Sequence, residues 1–273
     1  MKLNNGNLRR GFTLVELLVV ISIIVVLAGL AVPAAIGGLK KAAQMQGISN
    51  AGGIKKSLDL FAGDFDNDYP NDVTAEQLAD LKNEDVSGGS GGGRSPLRTS
   101  PLRTSSLNSQ SGSSSGSDSG NFKPANFYYS QIMSNNSLGT GEEELFFNNE
   151  FKKAFALKKP NKDGELTKGE CVWGYTVGLQ QTSSSHLPVV FDCPVASGDS
   201  PRFSKRVWGG KVIVARLNNS TKALKIAGED KISGIVKDKI DGDTVNIFAP
   251  EYLEEGTLVL ADLKQVGKGA SNN

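Results

Sequence analysis

From Phe12 to Gly38 the chain is apolar almost without a break; only Thr13, Glu16 and Ser22 are clearly polar. A helix of that length measures roughly 40 Å at 1.5 Å per residue, more than the ~30 Å hydrocarbon core of a bilayer. Lys40 and Lys41 mark its far edge. Pro33 lies inside the run, where proline removes a hydrogen bond and bends a helix axis. Further on, Ala42, Met45, Ile48, Ala51, Ile54, Leu58, Phe61 and Phe65 recur every three or four residues. That spacing predicts one apolar helical stripe, buried against a globular head, with Lys40, Lys41, Lys55, Lys56 and Asp59 off it. Gly37, Gly38, Gly47, Gly52 and Gly53 each weaken this helix by about 1 kcal/mol relative to alanine.

The helix is predicted to stop in Asp64-Phe65-Asp66-Asn67-Asp68-Tyr69-Pro70, a segment dense in turn-formers. Thr74 and Gln77 fit a capping box opening a short second helix. Residues 126–133 are aromatic enough to be core, and Leu145–Leu157 reads as a short amphipathic helix. The period then shifts to two. Residues 172–177, 187–191 and 211–217 are β-rich runs. Asn218-Asn219-Ser220 joins the last of them to Thr221–Ile226, which predicts a hairpin. The apolar residues of 240–264 fit either a further strand or a flap; the pattern does not decide between them.

Composition divides the chain further. Residues 1–11 are a polar, basic leader holding Lys2, Arg9 and Arg10. Residues 87–120 are mostly Ser and Gly and carry Ser-Pro-Leu-Arg-Thr twice. Such a segment buries too little apolar surface to offset its ordering entropy, so it reads as a disordered insert. The expected divisions are 1–11 leader, 12–39 transmembrane helix, 40–65 amphipathic continuation, and 66–273 head containing the insert. The formal charge of +1 gives no case for nucleic-acid binding, which needs a basic face. Positive charge just before the apolar run places the C-terminal bulk outside the cytoplasm. Cys171 and Cys193 allow a single intramolecular disulfide, and the sequence leaves open whether they form it or stay as separate buried thiols.

No catalytic constellation stands out. His186 follows Ser183–Ser185, but adjacency in sequence is not a triad. Acidic groups at 64–72, at Asp163, Glu165 and Glu170, and at Asp238, Asp241 and Asp243 match no complete calcium loop; Lys159 stands where the second group would need its first aspartate.

Glu16 is the exceptional residue. A carboxylate within an apolar span costs on the order of 2.5–3.5 kcal/mol at a helix centre on insertion scales, which marks it as functional. Arg10-Gly11-Phe12-Thr13-Leu14-Val15-Glu16 resembles the processing site of type IV prepilins and of type II secretion pseudopilins. Asp66-Asn67-Asp68-Tyr69-Pro70 and Thr74-Ala75-Glu76-Gln77-Leu78 resemble the segment after the long helix of major pseudopilins.

The resemblance implies an α+β fold in which a long, kinked N-terminal helix packs on a small C-terminal antiparallel sheet. It implies cleavage between Gly11 and Phe12 by a prepilin peptidase and N-methylation of Phe12. Glu16 and Pro33 then serve assembly, Glu16 by pairing with a neighbouring subunit's N-terminal amine. The expected role is structural rather than enzymatic: a pseudopilin of the bacterial inner membrane with a periplasmic head. Its partners are copies of itself, other pseudopilins and the inner-membrane secretion platform. The family also implies calcium, with ligands that this sequence does not identify; no other cofactor is expected. Two alternatives remain, a type IV pilin for adhesion, motility or DNA uptake, and a membrane-tethered binding module that forms no filament.

Overall fold

The computed structural model describes residues 12–87, 122–139, 141–195, 201–253 and 256–265. Gly11, the rest of the leader and the Ser/Gly-rich insert from residue 88 lie outside the described residues. Two compact units divide the chain, Met1–Gly47 and Ile48–Asn273.

Within the first unit, helix α1 (Leu14–Asp64) opens at a capping box. The Glu16 carboxylate accepts from the Thr13 N–H at 2.8 Å, and the Glu16 N–H donates to Thr13 Oγ1 at 3.3 Å. The apolar side chains that follow are exposed, from Leu14 at 86% to Leu27 at 61%. Among the described residues no helix is long and apolar enough to cross a membrane. The backbone of α1 continues through position 33, but the Pro33 side chain is outside the described residues.

The second unit begins on the last turns of α1. Ala51, Ile54, Leu58, Phe61 and Ala62 are fully buried, so the expected stripe holds from residue 51. Met45 is exposed, and the stripe does not reach back to it. Asp66 and Asn67 take left-handed conformations that end the helix. Helix α2 (Asp72–Ser87) is longer than expected, and its cap lies three residues earlier. The Asn71 side chain accepts from Thr74 N–H at 2.9 Å, and Thr74 Oγ1 accepts from Asn71 N–H at 2.8 Å. Thr74 is thus the third helical residue and not the cap. Helix α3 (Ala125–Ser134) follows. The amphipathic helix expected at 145–157 is instead two 3₁₀ turns, Glu142–Phe146 and Asn149–Lys153, plus strand β1 (Phe155–Ala156). Asn148 interrupts the helix: its side chain accepts from the Glu150 N–H at 2.9 Å and starts a new turn.

The remaining strands are β2 (Trp173–Val177), β3 (Pro188–Asp192), β4 (Phe203–Ser204), β5 (Lys211–Arg216), β6 (Thr221–Ala227), β7 (Ser233–Ile240), β8 (Asp243–Asn246), β9 (Thr257–Val259) and β10 (Lys264–Gln265). An eight-stranded antiparallel sheet runs β4-β7-β6-β5-β3-β2-β9, with β8 on β7, while β1 and β10 form a separate pair. The sheet is therefore larger than the small one expected. The β5–β6 hairpin forms as read, with Asn219 at φ 61°.

Both sheet faces are covered. On one, Phe191, Val212, Val214 and Val236 pack with Ile247 and Phe248 from the C-terminal segment. On the other, Ile213 and Ala215 are equally buried, and α1 approaches so closely that a Cβ at Gly52 would lie 3.4 Å from Thr221 Oγ1. Tyr128 and Tyr129 of α3 meet Tyr175 on this side. The tail thus both adds strands and covers a face.

Candidate functional site

The N-terminal motif is built on Thr13. Its N–H and its Oγ1 both donate to Glu16 Oε2, each at 2.8 Å. A carboxylate in the first turn suits the positive end of the helix dipole. Phe12, immediately before Thr13, is 76% exposed. The structure thus brings Phe12, Thr13 and Glu16 together at the start of α1. Thr13 was legible as the first residue of a Thr-x-x-Glu capping box but was not singled out from the sequence.

In the head, the most unusual charged residue is Lys55, 1% exposed although the stripe placed it on the solvent side. Its ammonium donates to Asp59 one turn on, to Tyr69 Oη at 3.1 Å and to Asn219 Oδ1 at 3.1 Å. Tyr69 donates to the same Asp59 oxygen at 2.6 Å. Burial lowers the lysine's pKa, with the Asp59 hydrogen bond opposing it. Burial also raises the Tyr69 phenol, reinforced by Asp59. The aspartate one turn away was the available signal.

Asp192 is 3% exposed. One oxygen accepts from Ile213 N–H at 2.7 Å; the other meets no donor in good hydrogen-bond geometry among the described residues, although the Trp208 side chain also favours its charged form. Burial pushes its carboxyl well above the usual range, against that hydrogen bond.

Cys171 and Cys193 are free, buried thiols, so the disulfide left open by the sequence is not formed. Cys193 donates its N–H to Val172 O at 3.0 Å, which places the two cysteines diagonally across the paired segments beside β2 and β3. Burial raises both thiols, Cys193 to about 12.

The acidic groups are dispersed. Asp64 accepts from Asn135, Asp68 from Gln180, Glu170 from the Thr167 N–H, and Asp238 from Arg216. Among the described residues no three of His, Cys, Asp or Glu gather as a metal-binding group. His186 is half-buried in the turn before β3.

Residues 6–32 match the family model of the prokaryotic N-terminal methylation motif, a span that includes Gly11, Phe12, Thr13 and Glu16. The chain is type IV prepilin-like. Over 67 residues it is also 40% identical to the "Type II secretion system core protein G" of Pectobacterium carotovorum subsp. carotovorum. That match spans 24% of the prepilin-like chain and 42% of the relative. No solved structure matches significantly. The chain thus spans less than half the length of that relative, and 67 aligned residues leave most of the head outside the match.

Proposed function

We propose that this chain is a structural pseudopilin of a type II secretion system and not an enzyme. A prepilin peptidase cuts between Gly11 and Phe12 and methylates Phe12. Residues 12–39 then hold the protein in the bacterial inner membrane with its head in the periplasm. Counted over the sequence, the apolar run from Phe12 to Gly38 exceeds the ~30 Å a span requires. The subunit joins copies of itself and other pseudopilins in a filament raised from the inner-membrane secretion platform, and its growth drives protein export.

The observation that carries this reading is the Thr13–Glu16 pairing at the head of a helix whose apolar side chains stand uncovered. In the precursor, Glu16 is satisfied locally by Thr13. Cleavage creates an ammonium at Phe12, adjacent to Thr13, and gives the carboxylate a cationic partner. In hydrocarbon an unpaired carboxylate is costly, so a neighbour's N-terminal amine that meets Glu16 favours one docking register over shifted ones. Pro33 sets the bend with which the helices pack.

Intact mass of the protein from its native membrane, with and without the peptidase, tests this reading. Loss of residues 1–11 and gain of one methyl group, dependent on the enzyme, supports it. An uncut N-terminus, or cleavage after the apolar run, discards it. Glu16→Ala is expected to be processed normally but to leave the sedimentable filament fraction; retention there removes the assembly role.

A further inference from the structure

Lys55 is 1% exposed and follows the fully buried Ile54, with the equally buried Leu58 one turn on. An apolar side chain of similar size would serve packing as well, since buried ion pairs seldom stabilise more than well-packed hydrophobic residues do. What sets the position apart is the pair of groups that its nitrogen meets. One is a carboxylate: Lys55 Nζ donates to Asp59 Oδ1, and Tyr69 Oη donates to the same oxygen at 2.6 Å. The other is a carboxamide: Nζ donates to Asn219 Oδ1 at 3.1 Å, so the amide carbon lies one bond beyond an atom already in contact. Asn219 is exposed at the tip of the β5–β6 hairpin. Burial lowers the pKa of the Lys55 ammonium, which favours the free amine. A nucleophilic nitrogen, an acyl group and an acid–base group therefore converge from positions 55, 219 and 59.

We propose that the Lys55 amine and the Asn219 carboxamide condense into an intramolecular amide cross-link, with Asp59 as the catalytic acid and base. A proton first passes from the Lys55 ammonium to the Asp59 carboxylate along their hydrogen bond. The freed electron pair of Nζ attacks Asn219 Cγ and forms the new C–N bond. Asp59 gives its proton to the Asn219 side-chain nitrogen and takes one from Nζ. The old C–N bond breaks, and ammonia leaves toward the solvent that Asn219 already faces. It carries off the Asp59 proton as an ammonium ion. The sum is one lysine ammonium and one carboxamide giving one secondary amide and one ammonium ion, with no oxidant, reductant or cofactor. Holding amine and amide in contact supplies the proximity that the same reaction lacks between free side chains. Each chain reacts once and is itself the product. The structure holds the arrangement before the bond forms. Once formed, the link spans 164 residues of sequence, constrains the unfolded chain as a disulfide does and resists reduction. It fastens α1 covalently to the sheet.

Intact mass and peptide mapping of the full chain, held folded in detergent, test the link. A mass lower by one ammonia is expected, together with a branched tryptic peptide joining Lys55 to Asn219. The loss is counted against the sequence mass of whichever N-terminus is present, cut or uncut, so it is independent of leader processing. Asn219→Gly keeps the left-handed turn at φ 61° and should fold without losing ammonia. Asp59→Ala should likewise keep its full mass. Should Asp59→Ala fail to fold, the native chain and Asn219→Gly decide between them. An unchanged mass in the folded native chain overturns the proposal. So does an ammonia loss mapped to ring closure between Asn219 and Ser220, which gives no branched peptide. A link that persists in folded Asp59→Ala overturns the acid–base assignment.

Discussion

The ammonium of Lys55 reaches the side chain of Asn219 across 3.1 Å, joining the last turns of the long helix to the tip of a hairpin 164 residues away in sequence. Asp59 and Tyr69 complete the arrangement. Lys55→Ala strips the donor from all three. The expected loss is about 2 kcal/mol, less than the roughly 3–5 of a fully buried pair because Asp59 is 27% exposed. Denaturant unfolding of the full chain measures it. A change below about 0.5 kcal/mol would make the network ornamental.

Gly174 lies opposite Phe191 in the β2–β3 ladder, and the ring fills the space over it. A Cβ at Gly174 would sit 2.3 Å from the ring. Gly174→Ala is expected to cost about 1–3 kcal/mol by overpacking. Adding Phe191→Leu should recover part of that loss. Additive losses in the double variant would show that the ring is not the cause.

Asp192 fixes a pH dependence. Its folded pKa lies above the ~3.9 of an unfolded chain. Its contribution to stability is therefore complete below about pH 4 and is lost as pH rises toward the folded value. Asp192→Asn has no such loss. Relative to the native chain, the variant should gain about 1.4 kcal/mol per pH unit through that window. Parallel stability profiles for the two proteins would contradict this.

Cys171 and Cys193 should resist iodoacetamide in the folded protein at pH 8, since burial keeps both as thiols. Unfolding in urea should expose two alkylation sites, read as mass increments. An unreduced mass two hydrogens lighter, with no alkylation after unfolding, would show instead that the pair is bridged.

What the sequence made legible follows from how completely each segment is buried. Strands β2, β3 and β5 are covered on both faces, so they read as unbroken apolar and β-branched runs. Strand β7 was missed because only three of its eight residues are buried and its Lys and Asp side chains dilute the pattern. The helix expected at 145–157 failed because Phe147, Phe151 and Phe155 have helical spacing while Asn148 caps a new turn between the first two. At the N-terminus, the motif was legible because its chemistry is local: Thr13, Glu16 and the helix start are neighbours in sequence. The burial of Lys55 and of Asp192 was not, since it involves Asn219 and Ile213, 164 and 21 residues along the chain.

The C-terminal segment has a consequence for when the head can fold. Leu260 O accepts from the Ala125 N–H at 2.8 Å, Asp262 O from the Gly169 N–H at 2.9 Å, and β9 forms the edge beyond β2. Ile247 and Phe248 close one face of the sheet. Until roughly residue 262 has left the ribosome, that face stays open and β2 lacks its outer partner. The head therefore closes late, and the chain remains threadable until this segment has emerged.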